Sequence, residues 1–272
     1  MKFTKWLGLS AAFAMTAIVA DPAYAAKCGN NSAGFAAWVQ EFKAEAARTG
    51  IRQSVLDDVF SSVHYNVPTI RADRGQHSFK LSLDAFMKKR GSAAIVSRGR
   101  SILKSNAALF NSIQQRFGVS PGPLIAIWGM ETGFGSYMGD QNTLSAVATL
   151  AYDCRRQDYF TDQLYAALKL VQAGTLSTSS RGAAHGEVGQ TQFLPKNVLL
   201  YGVDGDGDGR INLAGSKADA LASTANFLKG HGWRAGAGYQ QGEPNFAAIQ
   251  GWNAATVYQQ AIAIMGKQIE GK

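Results

Sequence analysis

The stretch from Ser120 to Gly139, SPGPLIAIWGMETGFGSYMG, most constrains what this chain can fold into. Ser120 stands where an N-cap belongs and Pro121 suits the first helical position. Pro123 still falls in the first turn, whose N–H groups have no partner within a helix. Leu124, Ile127, Trp128 and Glu131 follow at i, i+3, i+4 and i+7 and share one face. Gly133 and Gly135 then stop the helix. An acid at the end of an apolar stripe, beside a glycine-rich turn, sits at the edge of a core. Burial disfavours the charged form of a carboxyl, so Glu131 is the candidate proton donor. The plainer reading is a surface Glu ending a core helix.

Helical periodicity recurs on both sides. Phe35, Trp38, Val39 and Phe42 form a stripe ended by Gly50, and Ile51, Val55, Leu56, Val59 and Phe60 a shorter one. His64 to Pro68 reads as a linker, because Pro68 biases Val67 away from the helical region. Arg71 to Lys89, with Phe79, Leu83 and Phe86, reads as a helix with an exposed face, and 93–117 as one long or two abutting helices before Gly118. Leu144, Val147, Ala148 and Ala151 predict a helix, as do Tyr159 to Ala173, Ser216 to Lys229, and a last segment from about Ala254. Between Gly174 and Gly215 the periodicity gives way to Gly, Ser, Thr, Asn and Asp, which predicts a loop or hairpin region. The expected class is mainly α.

The chain has 272 residues, 46% hydrophobic and 17% charged, enough for one large domain or two lobes with a substantial core. Its net charge of +8 is diffuse, and Lys88, Lys89 and Arg90 make its longest basic run. That excludes a nucleic-acid arm and suits an anionic polymer. Lys2 and Lys5, an apolar run from Trp6 to Ala20, and Ala23-Tyr24-Ala25 read as a cleavable signal peptide over 1–25, hence export to the periplasm. A lipoprotein reading at Cys28 is disfavoured by Lys27 before it. No other stretch is long and apolar enough to span a bilayer, and a monomer is expected. Two cysteines in an exported chain predict a Cys28–Cys154 disulfide.

Two motifs outside the central stretch carry chemistry. Asp204-Gly205-Asp206-Gly207-Asp208-Gly209-Arg210-Ile211 has oxygen donors at positions 1, 3 and 5 and Gly at 6, with the Arg210 carbonyl at 7 and an apolar residue at 8, matching the start of an EF-hand loop. Gly215 replaces the closing bidentate Glu, and Asp219 stands ready to close a lengthened loop. Structural calcium is the expectation; the alternative is a solvated acidic turn. In His185-Gly186-Glu187-Val188-Gly189-Gln190-Thr191-Gln192-Phe193-Leu194-Pro195, amides alternate with glycine and an aromatic, which suits a saccharide groove, with Glu187 a possible second carboxylate. Trp252, Asn253 and Tyr258 offer a third wall. His64, His77, His185 and His231 have no metal spacing.

AIWGMETGFGSYMGD at 126–140, VATLAYDCRRQDYF at 147–160, GEVGQTQFLP at 186–195, YGVDGDGDGRINL at 201–213, ASTANFLKGHGW at 222–233 and WNAATVY at 252–258 together resemble the lytic murein transglycosylases of the B type, glycoside hydrolase family 103. The resemblance implies an N-terminal helical lobe over 26–118 and a lysozyme-like core over 119–272 with a calcium-type loop at 204–219. It implies cleavage of the MurNAc-β-1,4-GlcNAc bond of peptidoglycan glycan strands, with no cofactor required for the chemistry. By position, Glu131 looks like the single catalytic acid/base, and Gln192 and Phe193 like groove residues. Asn253 and Tyr258 match residues near the carboxylate, with Trp252 where an aromatic is usual. Arg155 and Arg156 match a basic pair suited to the peptide's carboxylates, and Asp204, Asp206 and Asp208 match the metal loop. Ala183 replaces a Ser found in some members.

The chemistry expected from this is a transglycosylation in which the sugar's own 6-hydroxyl replaces water, leaving 1,6-anhydromuramyl ends. Two alternatives stand beside it: a muramidase using Glu131 and Glu187 to activate water, and a non-catalytic wall-binding protein.

Overall fold

The computed structural model describes residues 27–75 and 81–271. The signal peptide read over 1–25, together with His77 and Phe79, lies outside the described residues. The described chain is mainly helical: α1 (Phe35–Ala47), α2 (Gln53–Ser62), α3 (Val67–Arg74), α4 (Leu83–Lys89), α5 (Ser92–Ser105), α6 (Ala107–Phe117), α7 (Pro121–Thr132), α8 (Thr143–Tyr152), α9 (Gln157–Gln172), α10 (Pro195–Tyr201), α11 (Lys217–Gly230), α12 (Phe246–Trp252) and α13 (Thr256–Glu270). β1 (Gln141–Asn142) pairs antiparallel with β2 (Arg181–Gly182), with Gln141 opposite Gly182. Among the described residues no helix is long and apolar enough to cross a membrane.

α7 is the central element, but it is more enclosed than one apolar stripe predicts. Residues 122–130 and Thr132 are all buried, and Glu131 is the exception near its end. The reason is packing on several sides, chiefly by α13 and also by α5, α6 and α11. The α7–α13 approach is tight enough that a Cβ on Gly122 would stand 2.4 Å from the Gly266 carbonyl oxygen. Ser120 is the N-cap residue but makes no side-chain cap. Instead the Glu270 carboxylate accepts the Gly122 N–H at 2.8 Å, satisfying a first-turn donor from another helix.

Other boundaries differ from expectation for local reasons. Val67 and Pro68 begin α3 rather than belonging to a linker: Asn66 caps the helix by accepting the Thr69 N–H, and a first-turn proline loses no hydrogen bond. The single helix expected over Arg71 to Lys89 ends at Arg74, and Ser82 caps a new start at Leu83. Residues 93–117 form two helices meeting at Asn106. The loop region contains α10, and α12 was not anticipated.

Buried side chains form two clusters. One joins α4–α7, α11, α12 and α13 through Phe86, Phe110, Leu124, Ile127, Leu221 and Ile262. The other joins α1–α3 to α8 and α9 through Trp38, Phe42, Leu56, Leu150 and Leu164. The clusters do not divide at residue 118, because α4–α6 belong with the later helices and α8–α9 with the earliest ones. Cys28 and Cys154 form the expected disulfide, beside backbone bonds from Gly29 N–H to the Tyr152 carbonyl (2.9 Å) and from Cys154 N–H to the Gly29 carbonyl (3.4 Å).

Candidate active site

Glu131 lies one residue before the C-terminus of α7, where Gly133 at φ 56° turns the chain in a left-handed cap. Thr132 secures the turn, donating to the Gln190 carbonyl at 2.6 Å and accepting the Gly135 N–H at 2.9 Å. Phe134 holds φ 64°, unusual for a residue with a side chain, and is fixed edge-on to Trp128 at 5.5 Å with Arg98 over its ring at 4.9 Å. The carboxylate therefore leaves the core on a braced turn.

Both donors to Glu131 come from the C-terminal helices. The Tyr258 hydroxyl donates to Oε1 at 2.6 Å and Trp252 Nε1–H donates to the same oxygen at 3.0 Å. Burial pushes the Glu131 carboxyl above its usual range, and the negative charge of Glu187 adds to this. The two hydrogen bonds and the Arg90 guanidinium pull the other way without overcoming burial. Tyr258 is itself raised well above a free phenol by burial and by Glu131, so it stays a donor.

Glu131 opens onto a cavity of about 360 Å³ lined also by Tyr159, Glu187, Gln192, Phe193, Leu194, Asn197, Phe227, Trp252 and Asn253. Gln192, at φ 57°, ends the turn of a bridge between Val188 and Phe193, and its amide donates to the Met138 and Gly189 carbonyls at 3.2 and 2.9 Å. Phe193 lines the cavity, is only 2% exposed and packs edge-on to Trp252 at 5.3 Å. Asn253 accepts the Ala255 N–H at 3.0 Å and turns the chain into α13. Glu131, Gln192, Phe193, Trp252, Asn253 and Tyr258 thus converge, as does Glu187.

Arg155 and Arg156 stand beside the cavity, with Arg156 5.4 Å over the ring of Tyr159, which lines it. Both pair with the carboxylate of Asp73 on α3, Arg156 at 2.8 Å, and Arg156 also lies over Phe160 at 4.7 Å. Their charges are used to tie α3 to the start of α9, and neither lines the cavity. Tyr159, Asn197, Phe227 and Arg90 are site residues the sequence did not single out. They come from helices whose local patterns describe only packing.

In the acidic loop, oxygens of Asp204, Asp206 and Asp219 lie within 4.8 Å of one another. Asp208 is not in this group; its carboxylate accepts the Arg210 N–H at 2.8 Å. Asp219, buried at the start of α11, accepts the Gly205 and Asn212 N–H groups at 2.9 and 2.7 Å. Backbone N–H groups led by Gly209 hold the Asp204 carboxyl below the usual range. The hard oxygen donors of Asp204, Asp206 and Asp219 are of the kind a cation such as Ca²⁺ takes.

Fold and cavity together define a mainly helical protein with an acid whose carboxyl is pushed up by burial at the mouth of a polar cleft. Residues 34–243 match the family model described as the transglycosylase SLT domain, and the chain belongs to that family. Over 130 residues it is 38% identical to the membrane-bound lytic murein transglycosylase B of Escherichia coli (strain K12), a match taking in 46% of this chain and only 35% of the relative's length. The structure superposes on SltB3 of Pseudomonas aeruginosa, solved with NAG-NAM-pentapeptide, at TM-score 0.81 and 29% identity, covering 88% of this chain and 80% of that one. The Escherichia coli lytic transglycosylase Slt35, solved with calcium, superposes at TM-score 0.76 and 24% identity over 90% of this chain and 96% of that one, which shows a shared fold.

Proposed function

We infer that this chain is a lytic transglycosylase that cleaves the MurNAc-β-1,4-GlcNAc bond of peptidoglycan glycan strands and leaves 1,6-anhydromuramyl ends. The observation that carries the reading is Glu131, its carboxyl raised by burial, held by Tyr258 and Trp252 and opening onto a polar cleft. The membership in the SLT family and the likeness to SltB3 with its bound NAG-NAM-pentapeptide support the substrate class.

Glu131 donates its proton to the glycosidic oxygen as the bond to the anomeric carbon breaks. The substrate's N-acetyl group shields that carbon from the far side. The 6-hydroxyl of the same sugar attacks it, and the Glu131 carboxylate takes the hydroxyl proton. One C–O bond breaks, one forms, and no water is consumed. Proximity of the internal hydroxyl stands in for a positioned water. The reading is tested by incubating purified sacculi with the purified chain: soluble muropeptides are expected, and none released would overturn it.

Tyr258 tunes the acid. Its hydrogen bond favours the ionised form, so Tyr258→Phe raises the Glu131 pKa further and moves the alkaline limb of the pH–rate profile to higher pH. A limb moving to lower pH would contradict this assignment.

The acidic loop is read as a structural calcium site of Asp204, Asp206 and Asp219, with the ion neutralising the cluster and taking no part in the reaction. Calcium at about 100 times its Kd is expected to add about 2.7 kcal/mol of stability, seen as a raised thermal midpoint. Asp206→Asn, at an exposed position, should remove most of that rise; a wild-type midpoint indifferent to calcium would rule the site out. The disulfide and the leader-like first 25 residues support a periplasmic location. A monomer completes the reading, and gel filtration tests it.

A further inference from the structure

A second carboxylate faces the same cavity. Glu187 lines it together with Glu131, and its side chain is 22% exposed. Its position is fixed at both ends. The Glu187 carbonyl accepts the Ala183 N–H at 2.9 Å, the Thr69 hydroxyl donates to the Ala184 carbonyl at 2.7 Å, and a Cβ on Gly182 would stand 1.9 Å from the Glu187 carbonyl oxygen. At the carboxylate, His185 contributes its backbone N–H at 2.9 Å and its ring Nδ1 at 3.0 Å. The far side of that ring, Nε2, lies 3.8 Å from the buried Asp73 carboxylate, which in turn holds Arg155 and Arg156. A chain of contacts therefore runs from the helix pair α3–α9 through His185 to a carboxylate in the cleft.

We propose that Glu187 is a second catalytic group of the transglycosylation, an ionised carboxylate that offsets the positive charge growing at the anomeric carbon, with His185 and Asp73 as its positioning residues. The proposal rests on the lytic transglycosylase reading of this cleft and deepens it. Two carboxylates lining one cavity repel each other, and environments that push their pKa values apart are the arrangement acid and charge-stabilising roles need. Their environments drive them apart. Burial alone would raise Glu187 as it does Glu131, but the His185 hydrogen bond and charge, with backbone N–H groups, hold it below the usual range. The charged and titratable groups around it are His185 on its own loop, Glu131 and Tyr159 on the same cavity, and Asp73 with the two arginines behind. No bond forms to Glu187. Glu131 gives its proton to the leaving oxygen, the bond to the anomeric carbon breaks, and the carboxylate of Glu187 balances the resulting cation until the 6-hydroxyl closes on it.

The test uses soluble glycan strands and the variants Glu187→Gln and His185→Ala. Glu187→Gln is expected to lower kcat by about 10²-fold with KM little changed, as for loss of a fixed electrostatic group acting only in the transition state. The acid limb of the pH–rate profile, where Glu187 ionises, should vanish. The alkaline limb should move to lower pH, because the charge that helps keep Glu131 protonated is gone. His185→Ala should lower kcat less and move the acid limb to higher pH. To separate chemistry from folding, Glu131→Gln and the Glu131→Gln/Glu187→Gln double variant should bind uncleaved strands equally. A Glu187→Gln enzyme with wild-type kcat and an unmoved pH profile overturns the proposal, as does a double variant that binds strands as much more weakly than Glu131→Gln as Glu187→Gln lowers kcat. A wild-type chain that releases no glycan overturns the underlying reading instead.

Discussion

Glu131→Gln is expected to lower kcat on peptidoglycan by about 10²–10⁴-fold, the range for removing a general acid, while binding of glycan strands survives. The amide keeps an oxygen to accept from Tyr258 and Trp252, so the wall of the cleft is preserved. The same change should stabilise the protein at alkaline pH. A carboxyl whose folded pKa lies above its unfolded value contributes fully below the unfolded value. That contribution is lost as pH rises through the folded one. Wild type and variant should therefore melt nearly together in acid, diverge as pH rises from the ordinary Glu range to the raised Glu131 pKa and stay apart above it, with the variant higher by about 2–4 °C per kcal/mol relieved. A variant that loses both glycan binding and stability would show Glu131 to be structural.

Removing the disulfide by Cys28→Ser/Cys154→Ser is expected to cost about 4–5 kcal/mol in the chain-entropy account, since the bond closes a loop spanning a sequence separation of 126 residues. For a domain of this size that lowers the thermal midpoint by about 10–20 °C, readable by calorimetry. The effect should fall first on α1–α3, whose side chains share a core with α8 and α9 rather than with the active-site helices. Activity at low temperature should persist. An unmoved midpoint would mean that the crosslink restricts nothing the native contacts, such as Gly29 N–H to Tyr152, do not already restrict.

Glu131 was legible because its cause is local: one acid at the end of an apolar helix, followed by glycines. The convergence of Trp252 and Tyr258 on it spans 121 and 127 residues, so no spacing rule reaches it, and only the family resemblance put them near the carboxylate. Arg155 and Arg156 look free in the sequence because their partner, Asp73, stands about 80 residues away in a segment read as an exposed helix face. In the acidic loop, counting positions names Asp204, Asp206 and Asp208, and the chain's return at the start of the next helix brings the Asp219 carboxylate up to Asp204 and Asp206, a contact that loop spacing alone does not measure. The helix α12 escaped notice because seven residues hold too few turns for a periodic stripe. The enclosure of α7 follows the same logic: a stripe reports one buried face and cannot say how many neighbours cover the others.

The claim at the centre of this account is that a cleft with one proton-donating acid uses the sugar's own hydroxyl in place of water. Mass spectrometry of the muropeptides released from purified sacculi measures this directly. The account predicts muramyl ends one water lighter than reducing ends, from the first products onward. Products carrying free reducing ends would contradict it and identify the enzyme as a hydrolase.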